Sequence, residues 1–378
     1  MSSVELDHLS TILSKARGPE EVFGTLTGTR TEMLDAARKV FRQMAKVAHP
    51  DVYQETTDFE RAGTIFKRLT TLWEQAQLRI EQGIYGRAEI KETFVPFMIH
   101  TGTRQYSIEH LLTRGDLCML YTGSFTLAGR QTRGLLKIPM KPGDNDLMAN
   151  EARILHHLQA SEGYEKLRHF VPQLVDSFSY LEQESGVVRN INIFTHIDGF
   201  YSLKEVREAY PEGIDPKDMA WIWRRVLIAL NFAHSNHIIH GAVLPTHIMI
   251  HPEQHGLVLI DWSYAVLRPD ETGERISAIS SAYRDWYPAE VFAHEKPTPG
   301  LDITMAARCM LDLLGGDPHE RVLPATLPEQ LRSYFKGCML LNPRQRPQDA
   351  FALLQDFDTL IERLWGPKKF HVFTMPKR

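Results

Sequence analysis

The chain has 378 residues, with 43 Lys and Arg against 47 Asp and Glu and a formal net charge of −4. Apolar residues make up 43% and charged residues 24%, ordinary for a globular protein and enough for a sizeable core. A charge so near balance gives no overall electrostatic case for nucleic acid or an anionic membrane surface.

The first 90 or so residues read as helical. Thr29 and Glu32 fit a capping box, in which a Ser/Thr side chain and a Glu three residues later satisfy each other's backbone amides. Met33, Ala37, Val40, Met44 and Ala48 then fall at helical spacing. "HPD" interrupts, because Pro50 cannot continue a helix and pushes His49 toward extended geometry. A second stripe follows at Phe59, Ala62, Phe66, Leu69, Trp73, Ala76 and Ile80. Two such helices joined by a short turn predict an antiparallel hairpin, closed by Gly83 and Gly86. On its first helix Arg38, Lys39, Arg42 and Lys46 oppose the apolar stripe, a basic face suited to an acidic partner.

Residues 84–104 read as a connector whose "FVPFMI" patch is expected to pack between domains. From residue 105 strand-like runs come first: "DLCMLYTG", "RGLLKIP", "VVRNINIFTHI". Long helical runs follow: "DMAWIWRRVLIALNFAHSN", "LDITMAARCMLDLLGG", "PQDAFALLQDFDTLIERLW". That order predicts an α+β domain, a small sheet-bearing lobe followed by a helical one. The basic tail 367–378 is expected to be a solvated end. His234, His237 and His240 sit three apart, but no Cys or paired acid joins them, so zinc is not expected. Three scattered cysteines, Cys118, Cys309 and Cys338, argue against a disulfide framework and for a reducing compartment. "MSSVELDHLS" lacks the basic end and apolar stretch of a signal peptide. No apolar run approaches the roughly 20 residues of a membrane span. A cytoplasmic protein with no membrane or nucleic-acid partner is expected.

Residues 19 to 83 resemble the J-domain of DnaJ-type co-chaperones, through "LDAARKVFRQMAKVAHPD" and "FERAGTIFKRLTTLWEQAQ". The resemblance implies that His49, Pro50 and Asp51 stimulate ATP hydrolysis by a DnaK-type heat-shock chaperone, docked on Arg38, Lys39, Arg42 and Lys46. The start "VFGTL" departs from the usual "YxxLG".

Residues 105 to 366 resemble protein kinases. "LLTRGDLCMLYTG" is similar to their glycine-rich loop, with Gly115 kept and Thr113 and Cys118 at the other two glycine places. The resemblance makes Lys137 of "RGLLKIP" the phosphate-pairing lysine and Glu151 of "ANEARILHHL" its partner. Leu135 stands where Ala is usual and would crowd an adenine ring. In "LVLIDWSYA", Asp261 would hold Mg²⁺, with His247 a second candidate ligand. "HGAVLPTH" stands for the catalytic H-R-D-x-K-P-x-N. There Ala242 replaces the base, Leu244 the lysine and His247 the asparagine. A methyl group accepts no proton, and base catalysis contributes on the order of 10²–10⁴ in rate. Glu290 of "YPAEV" and Arg346 of "CMLLNPRQRPQDA" would form a buried ion pair, and Asp302 a buried acid.

The expected organisation is α+β: an all-α J-domain-like unit at 1–83, a linker at 84–104, a bilobal kinase-like domain at 105–366 and a tail at 367–378. The expected function is a co-chaperone or adaptor: a J-domain recruiting a DnaK-type chaperone, joined to a pseudokinase that binds a client and, weakly, ATP and Mg²⁺. The alternative is a divergent ATP-dependent phosphotransferase using Lys137, Glu151 and Asp261 without the usual Asp.

Overall fold

The structure, a computed structural model, describes residues 3–16, 18–53, 58–81, 85–86, 94–102, 104–182, 186–370 and 372–376. Gly83 and, in the connector read at 84–104, residues 84, 87–93 and 103 lie outside them. The chain divides into two compact units, Met1–Thr93 and Phe94–Arg378, and mixes helix with antiparallel sheet. No helix among the described residues is long and apolar enough to cross a membrane.

The first unit is helical: α1 (Ser3–Lys15), α2 (Glu20–Phe23), α3 (Arg30–Ala48) and α4 (Phe59–Glu81). At the start of α3 the Thr29 amide donates to Glu32 at 2.7 Å, and the Glu32 amide donates to the Thr29 hydroxyl at 3.3 Å. Both bonds use amides that a helix start would otherwise leave unpaired. α3 ends at Ala48, with His49 extended (ψ 124) before Pro50, as the proline's steric demand requires.

Ala62, Ile65, Leu69, Leu72, Ala76 and Ile80 are the buried stripe of α4. Trp73 sits outside that stripe, stacked on Phe41 at 5.3 Å and edge-on to Phe23 at 5.9 Å. Helix α1 is a finding that sequence reading did not anticipate. Its Leu6, Leu9 and Leu13 are buried in the same core as the α4 stripe. Arg68 of α4 donates to the Ala16 carbonyl at 3.0 Å, and Arg61 pairs with Asp7 at 2.5 Å. Burying each leucine stabilises by about 1.5–3 kcal/mol, far more than the exposed Arg61–Asp7 ion pair.

The second unit opens with a six-stranded antiparallel sheet of β1 (Phe97–His100), β2 (Gln105–Arg114), β3 (Cys118–Leu127), β4 (Arg130–Pro139), β5 (Leu174–Leu181) and β6 (Val188–Thr195). Their order is β1-β2-β3-β4-β6-β5. Strand β1 falls within the stretch read as a connector, and pairs Phe97 with Ile108 and His100 with Gln105. Within the unit, Phe94 and Phe97 pack against Tyr121 at 5.5 and 6.3 Å, while Met98 is exposed. The β2–β3 ladder shifts register after Ile108. Beside it Gly123 is obligatory, since a Cβ there would lie 2.1 Å from the Ser107 carbonyl oxygen. Helix α5 (Asn145–Gln159) buries Leu147, Met148, Glu151, Ala152, Ile154, Leu155 and Leu158.

The rest is mainly helical. Helices Pro216–Ser235, Pro299–Leu313, Glu329–Cys338 and Ala350–Trp365 share one large core. Asp302, fully buried, accepts the amides of His240 and Gly241 at 2.8 Å each and meets His234 Nε2 at 2.9 Å. Arg346 forks onto both oxygens of Glu290 and also donates to the Leu340 carbonyl at 2.6 Å. Breaking such a pair from one side costs about 3–5 kcal/mol.

The C-terminal tail corrects the expectation of a solvated end. Phe373 is buried, with ring contacts to Tyr210 (5.6 Å) and Trp221 (6.5 Å). Phe370 lies 4.4 Å from His255, itself stacked on Trp221 at 4.1 Å. Lys368 pairs with Asp358 at 2.5 Å. The tail's basic composition hid one buried aromatic anchor, Phe373, while Phe370 stays largely exposed beside His255.

Candidate functional site

Two groups of side chains were singled out in the sequence, one in each unit. In the first, Arg38, Lys39, Arg42 and Lys46 are exposed on α3. With Asp35 and Gln43 they line one open depression. Spacings of three and four put them on one helix face, and Arg38 pairs with Asp35 at 3.2 Å. The turn Pro50–Tyr53 follows at the end of this helix. His49 sets its ring edge-on to Phe66 at 5.1 Å, and its Nδ1 lies 3.5 Å from the Asp51 carboxylate. Asp51 is exposed. Tyr53 beneath is buried and donates to the Val47 carbonyl at 3.0 Å, which pins the turn to the last turn of α3.

In the second unit Lys137, Glu151 and Asp261 converge although they are far apart in sequence. Lys137 Nζ lies 3.0 Å from Glu151, 2.7 Å from Asp261 and 2.9 Å from the Ser263 hydroxyl. Three partners match the three protons of an ammonium. Burial alone would depress the Lys137 pKa, but Asp261 and then Glu151 hold it well above its ordinary value. Burial raises Glu151, with Lys137 only partly opposing. For Asp261 burial also works against the charge, yet Lys137 and then His247 hold the carboxyl far below its usual range.

The backbone explains the convergence. Asp261 takes a left-handed conformation (φ 63, ψ 65) directly after strand Gly256–Leu259 and Ile260, a region Asp tolerates better than most residues. Trp262, fully buried, anchors the turn through Nε1 to the Leu259 carbonyl at 2.8 Å. Asn150 of α5 donates to the carbonyls of Ser263 and Ala265 at 3.0 and 2.9 Å. Asn192 of β6 donates to Glu151 at 3.0 Å and accepts from the Ser177 hydroxyl at 2.8 Å. Sequence reading missed Asn150, Ser177, Asn192 and Ser263. An Asn between Ile191 and Ile193 in an apolar strand was the available signal, because a buried amide needs built partners.

His247 bridges Ala242 and Asp261. Its Nδ1 lies 2.8 Å from the Ala242 carbonyl and its Nε2 3.2 Å from Asp261 Oδ2. Both partners are acceptors, and the Nε2 approach to Asp261 is an ion pair only with the ring protonated. Asp261 thus faces Lys137 on one oxygen and His247 on the other. Ala242 and Leu244 are fully buried, and their side chains offer no acceptor and no charge. Gly115 lies in the exposed turn between β2 and β3, where its amide donates to the Cys118 carbonyl at 2.8 Å.

This donor set fits Mg²⁺ poorly. A hard cation seeks several oxygen ligands, and imidazole suits it less well. Here the Asp261 oxygens already face Lys137 Nζ at 2.7 Å and His247 Nε2 at 3.2 Å. Among the described residues no group of three or more His, Cys, Asp or Glu is placed to hold a metal ion. No protein-family model matches the chain, and no curated protein matches it.

Proposed function

We propose that the chain is a J-domain-type co-chaperone that recruits and stimulates a DnaK-type chaperone, joined to a pseudokinase of bilobal kinase-like fold that engages a client protein. The observation that carries this reading is the exposed basic row of α3 ending in the His49-Pro50-Asp51 turn. An acidic surface on the chaperone would meet Arg38, Lys39, Arg42 and Lys46 first, through long-range attraction. The turn, pinned by Tyr53, would then present His49 and Asp51 in a fixed relation. Three buried free thiols suit a reducing, cytoplasmic setting.

The second unit is read as catalytically impaired. No group at Ala242 takes a proton from an attacking hydroxyl, and none at Leu244 offsets charge on a migrating phosphoryl group. ATP would have to draw Lys137 away from three partners, so nucleotide binding is proposed to be weak, and no catalytic step is assigned to it. A divergent phosphotransferase is the second reading, favoured only by the convergence of Lys137, Glu151 and Asp261.

His49→Gln is the test of the first reading. The variant should keep the helical circular dichroism of the parent and lose stimulation of a DnaK-type ATPase. Undiminished stimulation would sink the docking proposal. For the second reading, γ- and α-labelled ATP are incubated with the protein and a lysate. Label transferred to protein, and lost in Asp261→Ala, would replace the adaptor with a catalyst.

A further inference from the structure

The turn between β2 and β3 carries an acid that the resemblance to kinases does not use. Asp116 Oδ2 accepts from the Ser280 hydroxyl at 2.6 Å, from the Ala282 amide at 3.1 Å and from the Ser281 hydroxyl at 3.4 Å. Ser280 is buried, and its own amide donates to the Tyr287 hydroxyl at 3.1 Å, so the donating segment is itself fixed. Leu117, next in the turn, packs against the large helical core, and its carbonyl accepts the Met140 amide at 2.9 Å. The hairpin tip is therefore fastened by one polar and one apolar anchor.

Beneath the tip lies the Lys137 network. Register pairs Leu120 with Lys137 and Cys118 with Pro139. Side chains two residues apart share a sheet face, so Cys118 shares a face with Lys137. The thiol is buried, and burial pushes it up to about 12 despite the Lys137 charge. Buried Cys118 thus lies on the Lys137 side of the hairpin whose tip carries Asp116.

We propose that Asp116, by accepting hydrogen bonds from Ser280 and Ala282, is a latch in cis that holds the β2–β3 hairpin down over Lys137 and shuts polyphosphate ligands out. The inference rests on the kinase-like reading only in naming a nucleotide as the excluded ligand. The latch itself is a statement about one carboxylate and the segment it grips. Hydrogen bonds to a charged acceptor are among the stronger ones, so this single side chain can set the frequency of local opening.

Cys118 reports that opening directly. The full-length protein is labelled with a maleimide at neutral pH, and modification of each thiol is followed by peptide mass spectrometry. Cys309 and Cys338, buried in the helical core, serve as internal controls. Asp116→Ala and Ser280→Ala should each raise the Cys118 rate roughly tenfold or more while the two controls stay unchanged. An unchanged Cys118 rate in both variants overturns the latch. So does a parallel rise at all three thiols, which would mean general loosening. A fluorescent ATP analogue is titrated into the same variants. Faster labelling without analogue binding upholds the latch and removes the nucleotide reading, and faster labelling with binding upholds both.

Discussion

His247 closes a chain of contacts from Ala242 to Asp261, meeting the carbonyl of one at 2.8 Å and the carboxylate of the other at 3.2 Å. The residue that lacks a proton acceptor in its side chain thus supplies one from its main chain. With Lys137 on the other oxygen of Asp261, the cluster has the form of a buried structural ion network, in which each charge is needed by its neighbours.

Removing one member of that network strands the others. Lys137→Met should destabilise the protein by about 3–5 kcal/mol, because Glu151 and Asp261 are left facing each other without the cation. Asp261→Asn should cost less, since the amide keeps an acceptor for Lys137. In urea unfolding, the double variant should lose less than the sum of the singles, and strict additivity would refute coupling.

His240 makes stability depend on pH. It is fully buried, donates through Nε2 to the Ile260 carbonyl at 3.1 Å, and accepts the Ala242 amide on Nδ1 at 3.3 Å. Protonating Nδ1 would break the second bond. Burial pushes its pKa down to about 4, with Asp302 partly opposing. The unfolded chain therefore takes the proton first as pH falls. Stability is fully present above the ordinary histidine value and is lost on the way down to pH 4, by up to roughly 3 kcal/mol. Melting temperature against pH should show this slope, and His240→Gln should flatten it.

The tail is a structural element of the second unit. Phe373→Ala should cost about 3–5 kcal/mol, as for other buried aromatics. It should also alter tryptophan fluorescence through Trp221. A change smaller than that of an exposed-site control such as Val372→Ala would show that the anchor is dispensable.

Leu9 tests α1. Leu9→Ala should cost about 2–5 kcal/mol in the first unit, read as a lower midpoint of its helical unfolding transition. A matching alanine at exposed Thr11 should leave that midpoint within about 0.5 kcal/mol.

Local chemistry was the legible part of the sequence. The Thr29–Glu32 box and the stop at Pro50 depend on neighbours within a few residues and appear where the pattern placed them; of the α4 stripe, Ala62, Leu69, Ala76 and Ile80 are buried, while Phe66 and Trp73 are half-buried and Phe59 is exposed. The three long helical runs of the second unit likewise fall at Pro216–Ser235, Pro299–Leu313 and Ala350–Trp365. Contacts that close over long separations were not legible. Asn192 to Glu151 and Asp116 to Ser280 join residues on different elements, and no periodicity foretells them. Helix α1 is an intermediate case. Leu6, Leu9 and Leu13 recur at helical spacing, but the acids and serines among them in "MSSVELDHLS" dilute the apolar signal. The tail was misread because its lysines outweighed its phenylalanines in a count of composition.

The Arg68 bond to the Ala16 carbonyl bears on how the first unit can be isolated. A fragment trimmed to residues 19–83, the span of the J-domain resemblance, would strip the leucines of α1 from Ile65, Leu69 and Leu72. Those side chains would then face water as a greasy ridge, inviting self-association that mimics or masks chaperone recruitment. Recombinant pieces meant to report on His49 should therefore begin no later than residue 3.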